Sequence, residues 1–180
     1  MKARARNLPV MTQAFSKPGS DGRGEIPLLL ESNGFLRNLL VGLLRDAGAR
    51  DVMVAKHGVT ALSHIAERKP SVIIADWHAH ADPEEDRLKL VRKIRESANA
   101  PFRDTPVVLI SQPRSRREIE NARDAGVSEF LVTPIAPVTL YDRLSSLERQ
   151  PRDFICPSRF HRPARPRPDP RVSGPASKPL

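Results

Sequence analysis

The sequence predicts a doubly wound α/β domain, a five-stranded parallel sheet of the flavodoxin-like kind with helices on both faces. Short apolar runs are unbroken by polar residues, as strands buried on both sides require. Each run is followed by apolar residues at helical spacing, and the alternation occurs five times between residues 25 and 149. An eight-fold barrel typically takes about 250 residues, so an open sheet fits this length better.

Ile26 to Leu30 reads as the first strand, bounded by Gly24 and by Ser32-Asn33. Phe35, Leu36, Leu39, Leu40, Leu43, Leu44 and Ala47 form the stripe of the first helix, and Gly48 stands where a left-handed cap is wanted. Val52 to Ala55 is the second strand, with Val59, Leu62, Ile65 and Ala66 as the second stripe. Val72 to Ala75 is the third strand and ends at Asp76. Asp82-Pro83-Glu84-Glu85 predicts the start of the third helix, with Asp82 as N-cap, proline at the first helical position and a capping-box glutamate. Leu88, Val91 and Ile94 continue it. Val107 to Ile110 is the fourth strand, followed by a capping box from Ser115 to Glu118 and by Gly126 after the helix. Glu129 to Val132 is the fifth strand, and Leu140, Leu144 and Leu147 mark the last helix.

Charge separates this region from its flanks. Residues 1–24 carry five Lys/Arg against one acid, and residues 150–180 carry seven against two. The middle holds 18 of each sign, so the whole net charge of +9 lies in the flanks. Residues 1–24 and 150–180 are therefore expected to be disordered basic tails around one domain at 25–149. The later stretch, PSRFHRPARPRPDPRVSGPASKPL, is too proline-rich for helix or sheet. A domain of balanced charge is not a basic nucleic-acid-binding fold. One cysteine excludes an intrachain disulfide, no apolar run approaches a membrane span, and the start lacks a secretory signal's apolar stretch. A cytoplasmic location with no membrane partner is expected.

In open α/β sheets function gathers at the carboxyl ends of the strands, near the switch in strand order. That rule selects Glu31, Asp76, Ser111 and Thr133. Asp76, His78, His80 and Asp82 also alternate and carry metal-ligand chemistry. Surface-loop histidines and a capping aspartate explain the last three more simply.

The pieces LLLESNGFLRNLLVGLLRDAG, AKHGVTAL, SVIIADW, TPVVLIS and ARDAGVSEFLVTPI, in that order, resemble the receiver domain of two-component response regulators, the chemotaxis-regulator fold. The resemblance spans roughly residues 26–148. It implies a phosphorelay protein with Asp76 as phosphoacceptor, Ser111 and Thr133 at the phosphoryl group, and Phe130 at the aromatic switch position. It further implies a sensor histidine kinase or phosphotransfer protein as donor, and a downstream protein target as output. Enzymatic activity would be limited to self-phosphorylation at Asp76. Mg2+ is the implied cofactor, with Glu31, Asp76 and His78 as candidate ligands.

The sequence departs from the family at three places. The acidic pair is Glu31-Ser32, the lysine position holds Thr133, and the loop after Asp76 is about three residues longer, without the usual Asp-Gly turn. Losing one carboxylate at the metal and one cation at the phosphate is expected to weaken both. Arg114, Arg116 and Arg117 lie near the implied partner surface. In the C-terminal tail Arg152, Arg159, Arg162, Arg165, Arg167 and Arg171 alternate with prolines and with Phe154 and Phe160. Arginine with aromatics stacks on bases and forks onto phosphates. The alternative reading is a phosphorylation-independent scaffold whose tail binds cyclic di-GMP or nucleic acid, similar in kind to the chemotaxis-regulator-like Cle group.

Overall fold

The computed structural model describes residues 26–78, 86–97, 103–149, 154–155 and 162–163. Five parallel strands, β1 (Leu28–Leu30), β2 (Met53–Ala55), β3 (Ile73–Asp76), β4 (Val107–Ser111) and β5 (Glu129–Val132), lie in the order β2-β1-β3-β4-β5. Between and after them run α1 (Gly34–Asp46), α2 (Gly58–Arg68), α3 (Arg87–Arg95), α4 (Arg116–Asp124) and α5 (Pro137–Arg149). The predicted doubly wound sheet is the observed one.

Alternation along each strand divides the core into two layers. Leu28, Leu30, Ile73, Ala75, Val107 and Leu109 face α2, α3 and α4 through Ala61, Ile65, Leu90, Val91, Ile94 and Ala122. Leu29, Ile74, Val108, Ile110 and Leu131 face α1 and α5 through Leu40, Leu44, Leu140, Leu144 and Leu147. Burial on both faces is why these strands read as continuous apolar runs.

Several local expectations hold. Gly48 and Gly126 take φ of 102° and 100°, which only glycine adopts freely. Ser115 and Glu118 close both halves of a capping box. Others shift. Phe35 and Leu39 are exposed, so the working stripe of α1 is Leu40, Leu44 and Ala47. Val59 is exposed too, and α2 buries Gly58, Ala61 and Ile65 instead. In both helices the uncovered part is the N-terminal end of the predicted stripe.

The predicted start of α3 needs correction. Asp82 to Glu85 lie outside the described residues, but Asp86 has extended backbone, and its side chain accepts from the Leu88 N–H. Asp86 is therefore the N-cap, and the helix begins at Arg87. Within the C-terminal stretch expected to hold no sheet, β6 (Phe154–Ile155) and β7 (Arg162–Pro163) pair antiparallel. The remaining tail positions lie outside the described residues. No helix among the described residues is long and apolar enough to cross a membrane.

Candidate functional site

The strand order reverses direction between β1 and β3, the point at which open α/β sheets place their functional residues. Glu31 follows β1, Asp76 ends β3, Ser111 ends β4 and Thr133 follows β5. Backbone bonds carry the ladder past the strand ends and fix this ring. Glu31 donates to Ala55, Trp77 to Ile110 and Thr133 to Ser111, at 3.1, 2.7 and 2.8 Å. Glu31, Asp76 and Ser111 are buried, and Thr133 is half-buried before a cis Thr133-Pro134 bond.

Glu31 and His78 bring ligand atoms within 4.8 Å of each other and of an Asp76 oxygen. His80 and Asp82, the other members of the alternating set, lie outside the described residues. Burial pushes the Glu31 carboxyl above the ordinary glutamate range, and the Asp76 charge adds to this. The 2.8 Å bond from the Asn33 N–H and the charges of His78 and Arg87 act the other way. Asn33 in turn caps α1, and Arg37 Nη1 donates to the Glu31 and Ser32 carbonyls, so the loop bearing Glu31 is tied down at both ends.

The main departure from expectation is Arg87. Its Nε and Nη2 lie 2.9 and 2.8 Å from Asp76 Oδ1, and both side chains are essentially closed to solvent. The helix start explains the geometry. With Asp86 as cap, Arg87 is the first helical residue and shares the inward face with Leu90, Val91 and Ile94. Sequence reasoning missed it, although an arginine in register with that stripe, beside a lost Asp-Gly turn, was the available signal.

Arg114 also lies elsewhere than expected. It turns inward, donating from Nε to Ser111 Oγ at 3.1 Å, from Nη2 to the Trp77 carbonyl at 2.7 Å and from Nη1 to Glu118 at 3.1 Å. Its guanidinium also covers the Trp77 ring at 4.8 Å. Ser111 itself donates to the Gln112 carbonyl. Arg116 and Arg117 stay exposed, with Arg116 paired to Glu120 along the helix. Phe130 is half-buried on β5 and meets Trp77, which sequence reasoning had passed over. Of the tail arginines, Arg162 lies in β7, while Arg152, Arg159, Arg165, Arg167 and Arg171 lie outside the described residues.

Receiver domains typically hold Mg2+ at an acidic cluster, and a hard cation of that kind asks for free carboxylate oxygens in near-octahedral array. Here Oδ1 of Asp76 is engaged by a guanidinium, Oε1 of Glu31 accepts from Asn33, and Ser32 brings no charge. Two carboxylates and one arginine leave a formal charge of −1. The resting arrangement meets that demand only in part, through the single ligand atoms that Glu31, Asp76 and His78 can each offer.

Residues 28–145 match the response regulator receiver domain, and the chain belongs to that family. It is 31% identical over 118 residues to the chemotaxis protein CheY1 of Helicobacter pylori strain J99, covering 65% of this chain and 91% of that one. It is 29% identical over 121 residues to a chemotaxis protein CheY homolog of Campylobacter jejuni, covering 67% and 89%. Among solved structures, the receiver domain of a sensor histidine kinase from Pseudomonas aeruginosa, with magnesium in its active-site cleft, superposes with a TM-score of 0.61 at 24% identity, covering 71% of this chain and 99% of that one. A two-component response regulator from Clostridium difficile gives 0.61 at 21%, covering 69% and 96%. These two likenesses concern the fold.

Proposed function

We propose that the chain is a receiver of a two-component phosphorelay, acting in the cytoplasm with Asp76 as its phosphoacceptor and working through protein contact. The observation that carries this reading is the position of Asp76. It is buried at the carboxyl end of β3, beside the β1–β3 switch, with Glu31 close by and Ser111 ending the adjacent strand.

In the proposed step a carboxylate oxygen of Asp76 attacks the phosphorus of a phosphohistidine on a sensor kinase or phosphotransfer protein. The P–N bond breaks, the imidazole leaves with the bonding pair, and an acyl phosphate forms. Such transfer depends mainly on positioning and on neutralising the phosphoryl oxygens. Ser111 and Thr133 would contact those oxygens. Arg114, bonded to Ser111 Oγ, brings a cation to the side where Thr133 replaces the usual lysine. The output surface would be the face of α4, β5 and α5 around Phe130, where exposed Arg116 and Arg117 favour an acidic partner and set association rate more than affinity.

Intact mass after incubation with a small phosphodonor, with and without Mg2+, tests the reading. One phosphoryl group gained by the wild type and absent from Asp76→Asn supports it; no gain under either condition rejects it.

The hold of Arg87 on Asp76 favours a second reading, in which the domain is a phosphorylation-independent scaffold and the arginine-rich tail binds cyclic di-GMP or nucleic acid. Removing residues 150–180 should abolish that binding while leaving any phosphorylation intact.

A further inference from the structure

We infer that Arg87 is the resident counter-ion of Asp76, standing where receiver domains hold their metal, and that it must leave Asp76 before the carboxylate can bind a divalent cation. The argument begins with placement. The guanidinium is held from the first turn of α3, on the helix face that packs into the core, so the charge is built into the fold rather than carried on a free surface chain. Two nitrogens converge on one oxygen, at 2.9 and 2.8 Å. That geometry engages one of the two carboxylate oxygens of Asp76, and a guanidinium has no lone pair to offer a cation in exchange.

Charge adds to geometry. The resemblance implies three carboxylates around the ion, whereas here there are two with an arginine among them. The two changes reinforce each other, because Ser32 removes the attraction that would otherwise compete with Arg87 for Asp76. Seclusion strengthens the effect, since Arg87 and Asp76 are only 1% and 2% exposed and solvent screens them little. The site is thus closed by an internal ion pair, and the cation's entry is coupled to movement at the start of α3.

Metal binding and phosphorylation then respond separately. The inference about the cation stands apart from the acceptor reading; only its consequence, faster phosphoryl gain once Arg87 is removed, rests on that reading.

The experiment is a titration of the full chain with Mg2+ and with Mn2+, followed through the emission of Trp77, the only tryptophan and the neighbour of Asp76. Wild type and Arg87→Lys, which keeps the charge, are expected to show no saturable change at millimolar Mg2+. Arg87→Gln is expected to bind at least roughly tenfold tighter than wild type, as loss of a nearby positive charge requires. Equal affinity in wild type and Arg87→Gln, or no binding by folded Arg87→Gln, would overturn the inference. Saturation of the wild type at millimolar Mg2+ would overturn it without any variant, which covers the case of an Arg87→Gln chain that does not fold. A phosphodonor arm separates the two ideas. Tighter metal binding in Arg87→Gln with no phosphoryl gain in either protein upholds the counter-ion and rejects the acceptor.

Discussion

Trp77 meets Phe130 edge to face, with ring centroids 5.6 Å apart and planes at 87°, so the residue after Asp76 rests on the aromatic of β5. Arg114, in the loop after β4, closes the same stack over the Trp77 ring and onto its carbonyl. An edge-to-face pair with a cation on the ring is a directional contact beyond area burial. It gives a packed route from Asp76 to the surface of β5.

Arg114→Ala should therefore cost about 2 kcal/mol in urea unfolding, the sum expected for a cation–π contact and charged hydrogen bonds. Trp77 emission should shift to the red as water reaches the indole. Arg114→Lys should recover only part of the loss, because a single ammonium cannot reproduce a planar fork that serves Ser111, Trp77 and Glu118 together. Coincident unfolding curves for Arg114→Ala and wild type would refute the stack's role.

Asp76→Asn is expected to be markedly less stable than wild type, by about 3 kcal/mol, because it leaves the Arg87 charge buried without its anion. Adding Arg87→Gln should restore part of the loss, since the pair is then replaced rather than broken. Additive single-variant losses would show that the two side chains do not depend on each other. The Asp76→Asn control in a phosphorylation assay accordingly needs its own unfolding curve.

How far the sequence could be read depends on which physical signal each feature leaves. The sheet was legible because Leu28–Leu30, Ile73–Ala75 and Val107–Ile110 are buried on both faces, and such runs alternating with helical stripes are the pattern of a covered parallel sheet. Gly48 and the Ser115–Glu118 box were legible because backbone geometry admits few residue types there. Phe35, Leu39 and Val59 misled, because the helical stripe read from sequence is wider than the strip buried at the N-terminal end of each helix. Arg87 was overlooked for a different reason. Arginine counts as solvated in any hydrophobic pattern, and the extended backbone of Asp86 is what sets the start of α3 at Arg87. A start at Asp82 would have run helix through Asp86, one turn too early to make Arg87 its first residue. Arg114 likewise could be placed near the site from sequence, but not turned toward Ser111.

Glu31 gives a pH prediction. Its carboxyl titrates above the ordinary glutamate value in the folded protein, chiefly through burial. Between the unfolded and folded pKa values the native state holds more protons than the unfolded chain, so stability must fall as pH rises through that window. Glu31→Gln removes the titration while its amide oxygen can still accept from Asn33. Urea midpoints measured from pH 4 upward, starting at about the free glutamate pKa, should therefore fall less steeply for Glu31→Gln than for wild type. The variant should also be the more stable protein at neutral pH. Parallel profiles for the two proteins would mean that Glu31 is better solvated or better paired than its burial implies.

Arg95 is the second buried arginine of α3, and its role is structural. From the last helical turn its Nε donates to Gly126 O at 3.0 Å and its Nη1 to Thr105 O at 2.8 Å and to Arg103 O. Its Nη2 reaches Ser128 Oγ at 3.5 Å. Burial lowers its pKa to about 10, which still leaves it charged at neutral pH. One side chain thus satisfies carbonyls from the approach to β4 and from the turn between α4 and β5. Taking the donor away from a buried carbonyl costs roughly 1–3 kcal/mol. Arg95→Met keeps the apolar stem and removes every donor, so a loss of about 3 kcal/mol is expected in urea unfolding, read as a lower midpoint at an unchanged slope. Arg95→Lys should fall well short of wild type, because one ammonium cannot span acceptors on both sides. If Arg95→Lys unfolded with the wild-type midpoint, the charge rather than the fork would be what ties α3 to β4 and β5.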